Sequence, residues 1–416
     1  MHTVSFPGLD EPGVGRLAVL SLHTSPLAQP GVGDGGGMNV YVAELTSALA
    51  SSGVDCTVFT RRTGAGEPSR VHVEPGYDVV HVDAGPTDLD KHDLPAVLDR
   101  FTAAVREHPD IAGADAIHAN YWLSGEVGHR LKHELGIPLA VSFHTLGSVK
   151  SRGGDPEPLE RIVGEARIIE CADVIVANAL PEYQQLTELY EAPPGRVEII
   201  HPGVDHALFG PGDRTGARWA VGLDGEGPVL LFVGRIQPLK GVDIAVATLA
   251  ALQRPDARLV VLGGPSGPEG VRHLADVRAL ASRLGVADRI MWEPPTARHL
   301  LSSWYRAADV VVVPSRSESF GLVALEAAAC GIPVVASAVG GLTTVVVDGR
   351  TGVLVPSRDP GEFASAAASL LDDPMQAERM GLHAAFHAQE FTWEAAAEQF
   401  ADVVAGLRMR QLVECR

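Results

Sequence analysis

Glu318 and Glu326 frame the stretch Glu-Ser-Phe-Gly-Leu-Val-Ala-Leu-Glu, and Arg235 and Lys240 stand upstream in Gly-Arg-Ile-Gln-Pro-Leu-Lys-Gly. An arginine and a lysine at one strand–loop–helix junction can neutralise a diphosphate whose charge grows as a glycosidic bond breaks, most strongly where water is excluded. The two carboxylates accept hydrogen bonds from hydroxyl groups on either side. Between them, the N–H groups of Ser319, Phe320, Gly321 and Leu322 open a helix, and a helix N-terminus is a ready anion site. Together these residues describe a pocket for a sugar nucleotide.

The elements that must position them are legible from hydrophobic periodicity. Val310 to Val313 predicts a buried strand, Pro314 to Ser319 its exit loop, and Phe320 to Cys330 a helix stopped by Gly331 and Pro333. Glu318 then falls in the loop and Glu326 about two turns into the helix. In the first half, Gly31-Val-Gly-Asp-Gly-Gly-Gly-Met-Asn39 lies between a strand and a helix over Met38 to Ala50. Such a loop lets backbone approach a ligand closely. It lacks the Gly-x-Gly-x-x-Gly spacing of dinucleotide folds and the Gly-Lys-Ser/Thr ending of P-loops.

Strand-like runs at Leu17–Leu22, Cys56–Thr60, Ile117–Asn120, Leu139–His144, Val174–Ala177 and Val197–Ile200 alternate with helical patterns. A second series runs through Val229–Gly234, Leu259–Gly263, Ile290–Glu293, Val310–Val313 and Val334–Ser337. This grammar predicts two α/β domains with parallel sheets, and 416 residues suit two cores better than one. The expected division is a tail over 1–16, a first domain over 17–205, a second over 206–392, and a closing amphipathic helix, Trp393 to Leu407, returning to the first domain. In open parallel sheets ligands sit beyond the carboxyl ends of strands. His23, His144, Arg235 and Glu318 all fall at such ends, so the domains are expected to share one cleft and to close over it about a hinge near Gly203.

The net charge is −19, from 33 basic and 52 acidic residues, which disfavours nucleic acid and anionic membranes as partners. No apolar run is long enough to span a bilayer, and the N-terminus has no secretory pattern, so a cytoplasmic protein is expected. Cys56, Cys171, Cys330 and Cys415 are far apart and include no Cys-x-x-Cys, which points to buried thiols rather than a zinc site or a disulfide framework. His129 and His133 have zinc-ligand spacing but no third ligand in the sequence nearby, and read as surface histidines. Asp88-Leu-Asp90 reads as a solvated acidic loop.

Gly-Arg-x-x-x-x-Lys-Gly followed by Glu-x7-Glu resembles the retaining glycosyltransferases of family 4, and the likeness runs from Leu17 to about Leu407. It implies the GT-B fold, two Rossmann-like parallel-sheet domains facing across a cleft. It also implies that Arg235 and Lys240 hold the donor diphosphate, Glu326 the ribose hydroxyls, and Glu318 the transferred sugar. His23-Thr-Ser-Pro-Leu, Gln29-Pro-Gly, Gly33-Asp and Gly36-Gly-Met-Asn-Val-Tyr41 resemble, more narrowly, the D-inositol-3-phosphate glycosyltransferases of the mycothiol pathway. That family moves N-acetylglucosamine from UDP to 1D-myo-inositol 3-phosphate.

By this resemblance the acceptor meets His23, Asp34, Gly35, Gly36, Gly37, Met38, Asn39, Lys91, Tyr121, Thr145 and Arg161, while Gln29, Pro30 and Gly37 join the donor site. A lysine, an arginine and hydroxyl donors are also what an inositol phosphate demands. His144 is placed to touch the transferred sugar or to stabilise an oxocarbenium-like state through its carbonyl. No cofactor is required for the chemistry; the resemblance adds a magnesium ion on backbone oxygens of Tyr305, Arg306 and Ala308, and a homodimer. The alternatives are another acceptor for the same fold, a sugar phosphate or phosphatidylinositol, a membrane-peripheral enzyme, and a non-catalytic sugar-nucleotide sensor.

Overall fold

A computed structural model describes residues 14–415 apart from 32, 34, 224 and 226. The first sheet contains β1 (Arg16–Leu20), β2 (Asp55–Arg61), β3 (Arg70–Glu74), β4 (Tyr77–Val82), β5 (Ala116–Asn120), β6 (Leu139–Ser142), β7 (Val174–Ala177) and β8 (Val197–Ile199). Their order is β3-β4-β2-β1-β5-β6-β7-β8, parallel except for the β3–β4 pair. The second sheet contains β9 (Val229–Val233), β10 (Arg258–Leu262), β11 (Ile290–Glu293), β12 (Val310–Val313), β13 (Val334–Ser337) and β14 (Gly352–Val355), in the all-parallel order β11-β10-β9-β12-β13-β14.

Side chains alternate across each strand, so each sheet supplies two cores. Ala18 and Leu20 pack on one face of the first sheet, and Leu17 and Val19 on the other. Leu230 and Phe232 divide from Val229 and Leu231 in the same way in the second. The helix Trp393–Leu407 buries Trp393, Ala396, Ala397, Phe400, Val404 and Leu407, one 3.6-residue stripe, against the first sheet and the helix Gly37–Ser51. Thr392 caps it, its Oγ1 accepting from Ala395 N–H at 3.1 Å. The chain thus crosses between domains twice, side by side: Val204 N–H donates to the Phe391 carbonyl at 3.1 Å, and a Cβ on Gly203 would lie 2.2 Å from the Trp393 nitrogen.

The structure corrects the sequence reading at several points. The helix after β12 spans Leu322–Ala329, because Gly321 takes φ 106° and turns the chain first; Glu326 is therefore little more than one turn in. β6 stops at Ser142, and His144 beyond it has φ 61°. β3, β4 and β14 are further strands. The half-exposed β3 and the short β14 lie at sheet edges, where a continuous apolar run is not needed.

Cys56 and Cys330 are buried thiols, but Cys171 and Cys415, 244 residues apart in sequence, are paired as a disulfide with Cα atoms 5.2 Å apart. His129 and His133 lie beside them. Among the described residues no helix is long and apolar enough to cross a membrane.

Candidate active site

In the second sheet the chain order reverses between β9 and β12, and the loops leaving those two neighbours carry Arg235 and Glu318. A crevice forms at such a switch point because successive crossovers leave in opposite directions. Lys240 Nζ donates to Glu318 Oε2 at 2.6 Å, and Ser315 Oγ reaches the same oxygen at 3.4 Å. The carbonyl of Glu318 accepts from Gly341 N–H at 3.0 Å, and a Cβ on Gly340, whose φ is 48°, would lie 2.0 Å from that carbonyl oxygen. The glycine pair beyond β13 thus fixes the Glu318 loop by close backbone approach.

Ser319, Phe320, Gly321, Leu322 and Val323 line the same cavity at the N-terminus of the Leu322–Ala329 helix. The first N–H groups of a helix have no intrahelical partner, so an anion there meets donors and the positive end of the dipole. Glu326 is buried on this helix, one oxygen accepting from Tyr305 Oη at 2.7 Å. Burial pushes its carboxyl up to about 7, against the pull of Arg298 and the tyrosine hydrogen bond.

The first sheet reverses between β1 and β5, and His23 and Tyr121 leave those strands with ring centroids 4.5 Å apart. Lys91 Nζ stands 5.1 Å over the Tyr121 ring. Burial, then the nearby Lys91, hold His23 well below its ordinary pKa, and its Nδ1 has no hydrogen-bond partner among the described residues. His144 Nε2 is 2.8 Å from Asn120 Oδ1, and burial lowers its pKa to about 3, so it is neutral at physiological pH. Tyr121 and His144 both have left-handed backbones, at φ 74° and 61°. Such conformations concentrate where a wall must place groups at fixed positions.

The two walls meet. His23, Pro30, Gly36, Gly37, Met38, Lys91, Tyr121, His144 and Thr145 face Arg235, Lys240, Glu318 and Glu326 across one cavity. Gly36 permits the contact, since a Cβ there would come 3.3 Å from Arg235 Nε. Glu44 and Arg298 form an ion pair between the domains, and Gln29 Nε2 donates to the Pro295 carbonyl at 3.1 Å.

Four residues sit elsewhere than on the cavity wall. Arg161 is buried behind it, paired with Glu157 and Glu165, and donates to the Thr145 carbonyl at 2.8 Å and to its Oγ1 at 3.0 Å. It positions Thr145 instead of facing the open space. Asn39 is spent on the glycine loop: its Oδ1 accepts from Gly36 N–H at 2.8 Å, and its Nδ2 donates to Thr24 Oγ1 and the Ser25 carbonyl. Gln29 bridges the domains, and the Gly35 carbonyl closes a turn by accepting from Gly31 N–H. Asp34 lies outside the described residues.

The family resemblance places a magnesium ion on the backbone oxygens of Tyr305, Arg306 and Ala308. Tyr305 spends its carbonyl on Ala308 N–H and its hydroxyl on Glu326. The guanidinium groups of Arg306 and Arg218 lie alongside, and the adjacent carboxylate, Asp309, is taken by Arg214 and Arg218. A hard dication needs several free oxygens, preferably anionic, so no step is routed through one.

Sequence reasoning missed Arg298, Tyr305 as a partner of Glu326, and Gly340–Gly341. The glycine pair carries a signal, because it follows a predicted strand at its carboxyl end as the other site residues do. Arg298 is one more basic residue on a helix and has none.

Residues 35–208 match the model of Glycosyltransferase Family 4, and residues 213–385 that of Glycosyl transferases group 1. A D-inositol 3-phosphate glycosyltransferase 2 from Catenulispora acidiphila is 48% identical, the alignment covering 95% of this chain and 98% of the relative. The chain belongs to the D-inositol 3-phosphate glycosyltransferase family. Another such relative, from Kribbella flavida, is 48% identical over 94% of this chain and 95% of its own length.

Among solved structures, this glycosyltransferase is similar to a sucrose-phosphate synthase from Thermosynechococcus elongatus, with a TM-score of 0.89 and 33% identity, over 94% of this chain and 99% of that one. Anabaena HepE in complex with UDP-glucose shares the fold, with a TM-score of 0.75 and 21% identity over 94% and 99% of the chains. The architecture is GT-B, and the cavity lies where its two domains face each other.

Proposed function

We propose that this glycosyltransferase moves N-acetylglucosamine from UDP to 1D-myo-inositol 3-phosphate with retention of anomeric configuration, as the first committed step of mycothiol biosynthesis. The observation that carries the reading is the facing of Lys91 and Thr145 in one domain with Arg235 and Lys240 in the other, across a shared cavity. That gives one cationic end for the acceptor's phosphate and another for the donor's diphosphate.

Glu326 receives the ribose hydroxyls and Glu318 the sugar. Lys240, with one N–H given to Glu318, has two left for phosphate oxygens. Neither glutamate is free to act as a nucleophile on the opposite face, so front-face substitution is favoured over double displacement. The acceptor oxygen bonds to the anomeric carbon as the bond to the β-phosphate oxygen breaks, and the acceptor's proton passes to that departing oxygen. Arg235, Lys240 and the helix N-terminus take up the growing charge. The neutral His144, held by Asn120, offers the wall a fixed uncharged group.

The net charge of −19 disfavours stable association with anionic membranes; the homodimer rests on the family resemblance. A sugar-phosphate acceptor is the second reading, favoured by the 33% identity to sucrose-phosphate synthase.

The deciding experiment measures UDP release from UDP-N-acetylglucosamine with inositol 3-phosphate, free inositol, fructose 6-phosphate or phosphatidylinositol vesicles, with mass detection of the product. Turnover with inositol 3-phosphate alone is expected. Reaction only with acceptors lacking phosphate would overturn the assignment.

A further inference from the structure

We propose that His129, His133, Cys171 and Cys415 bind one zinc ion that clasps the C-terminal end of the chain to the first domain. His129 and His133 are one turn apart on the helix Trp122–Leu135, which puts both rings on one face. Cys171 ends the neighbouring helix Leu159–Cys171, and Cys415 arrives in the segment after the Trp393–Leu407 helix. One ligand atom from each of the four lies within 4.8 Å of all the others. Both imidazoles present Nε2 to the same sulfur, Cys415 Sγ, at 3.0 Å from His133 and 3.5 Å from His129. Their ring planes are nearly perpendicular, at 89°. A tetrahedral zinc with bonds of about 2.0–2.3 Å has ligand–ligand edges of roughly 3.3–3.8 Å; the two sulfurs are bonded to each other as a disulfide, so zinc enters the reduced form of the site, in which they part to that spacing.

The Cys171–Cys415 disulfide is the oxidised form of this set, and the chemistry of the four groups together favours zinc on the reduced form. A disulfide between Cys171 and Cys415 removes two electrons, which demands an oxidant, and leaves two converging imidazoles without a role. Zinc uses all four groups: two thiols lose their protons to solvent, two neutral imidazoles donate lone pairs, and the assembled site carries no net charge.

Its surroundings are already fixed. Asp173 Oδ1 accepts from Lys132 Nζ at 2.8 Å and from Val413 N–H at 2.7 Å, and Lys132 Nζ also donates to the Cys171 carbonyl at 2.6 Å. The chain is therefore pinned two residues before Cys415 and at Cys171 itself, an outer shell of the kind that orients metal ligands. None of the four lines the active-site cavity, and four protein ligands leave no open position, so the role is structural.

The test uses the full chain purified under reducing conditions. Elemental analysis is expected to find about one zinc per chain, and cobalt substitution to give the visible absorption of a tetrahedral thiolate site. Cys415→Ser and His133→Ala, at a site near the chain end and at an exposed side chain, should each bring zinc below about a tenth of that and lower Tm. A chelator should lower the Tm of the unaltered protein to the same level and leave the variants unmoved. Failure of the reduced, metal-free protein to take up equimolar zinc would overturn the proposal. So would full zinc retention by Cys415→Ser, or a Cys171–Cys415 disulfide in active protein that has never held zinc.

Discussion

The hydroxyl of Tyr305 donates to Glu326 Oε2 at 2.7 Å, and both groups are buried. The bond holds the carboxylate on the cavity wall with its other oxygen available, and partly offsets the burial that raises its pKa to about 7. A carboxylate that must accept from ribose hydroxyls binds best when ionised. UDP affinity should therefore rise as pH increases through about 7 and fall roughly tenfold per pH unit below it. Calorimetry across pH on the native protein and on Glu326→Gln separates this from titration of UDP itself, because the variant keeps only the latter. Tyr305→Phe removes a donor that favours the charged form, so the midpoint should move upward. An unshifted midpoint would detach the tyrosine from the site.

Lys240→Ala should lower kcat about 10²- to 10³-fold, the loss expected for one group that stabilises charge only as the leaving group departs. Stability should hardly change, since the Lys240–Glu318 pair is partly solvated and such pairs are worth about 1 kcal/mol or less. Steady-state kinetics beside thermal denaturation distinguishes this from unfolding.

Lys91→Ala should raise KM for the phosphorylated acceptor about 10- to 100-fold, the range for losing a charge-assisted hydrogen bond. The KM for the UDP-sugar and its slow hydrolysis without acceptor should stay the same. An equal loss in both would place Lys91 in the stability of the wall instead of in acceptor binding.

Gly340→Ala should cut kcat and lower stability by about 1–3 kcal/mol, because a left-handed φ of 48° and a Cβ 2.0 Å from the Glu318 carbonyl cannot both be kept. Denaturant unfolding and turnover would be measured together. A fully active variant would show that the loop carrying Glu318 is less constrained than its packing implies.

Much of this protein was written along the chain. The alternation of apolar runs with helical patterns specified two parallel-sheet domains, because a strand buried on both faces must be continuously hydrophobic. Arg235, Lys240, Glu318 and Glu326 were legible because each lies just after a predicted strand or on the predicted helix that follows it, which is local information. The helix Trp393–Leu407 was equally clear, its apolar stripe lying within one segment.

Tertiary structure decided whatever depends on chain returning from afar. Arg161 carries the same charge as Lys91, yet Glu157 and Glu165 draw it behind the wall while Lys91 lines it. Tyr305 meets Glu326, and Cys415 meets His133, only because segments separated in sequence pack together. Sequence spacing records which groups share an element. Which elements become neighbours is set by burial summed over whole sheets, a non-directional force that no short motif encodes.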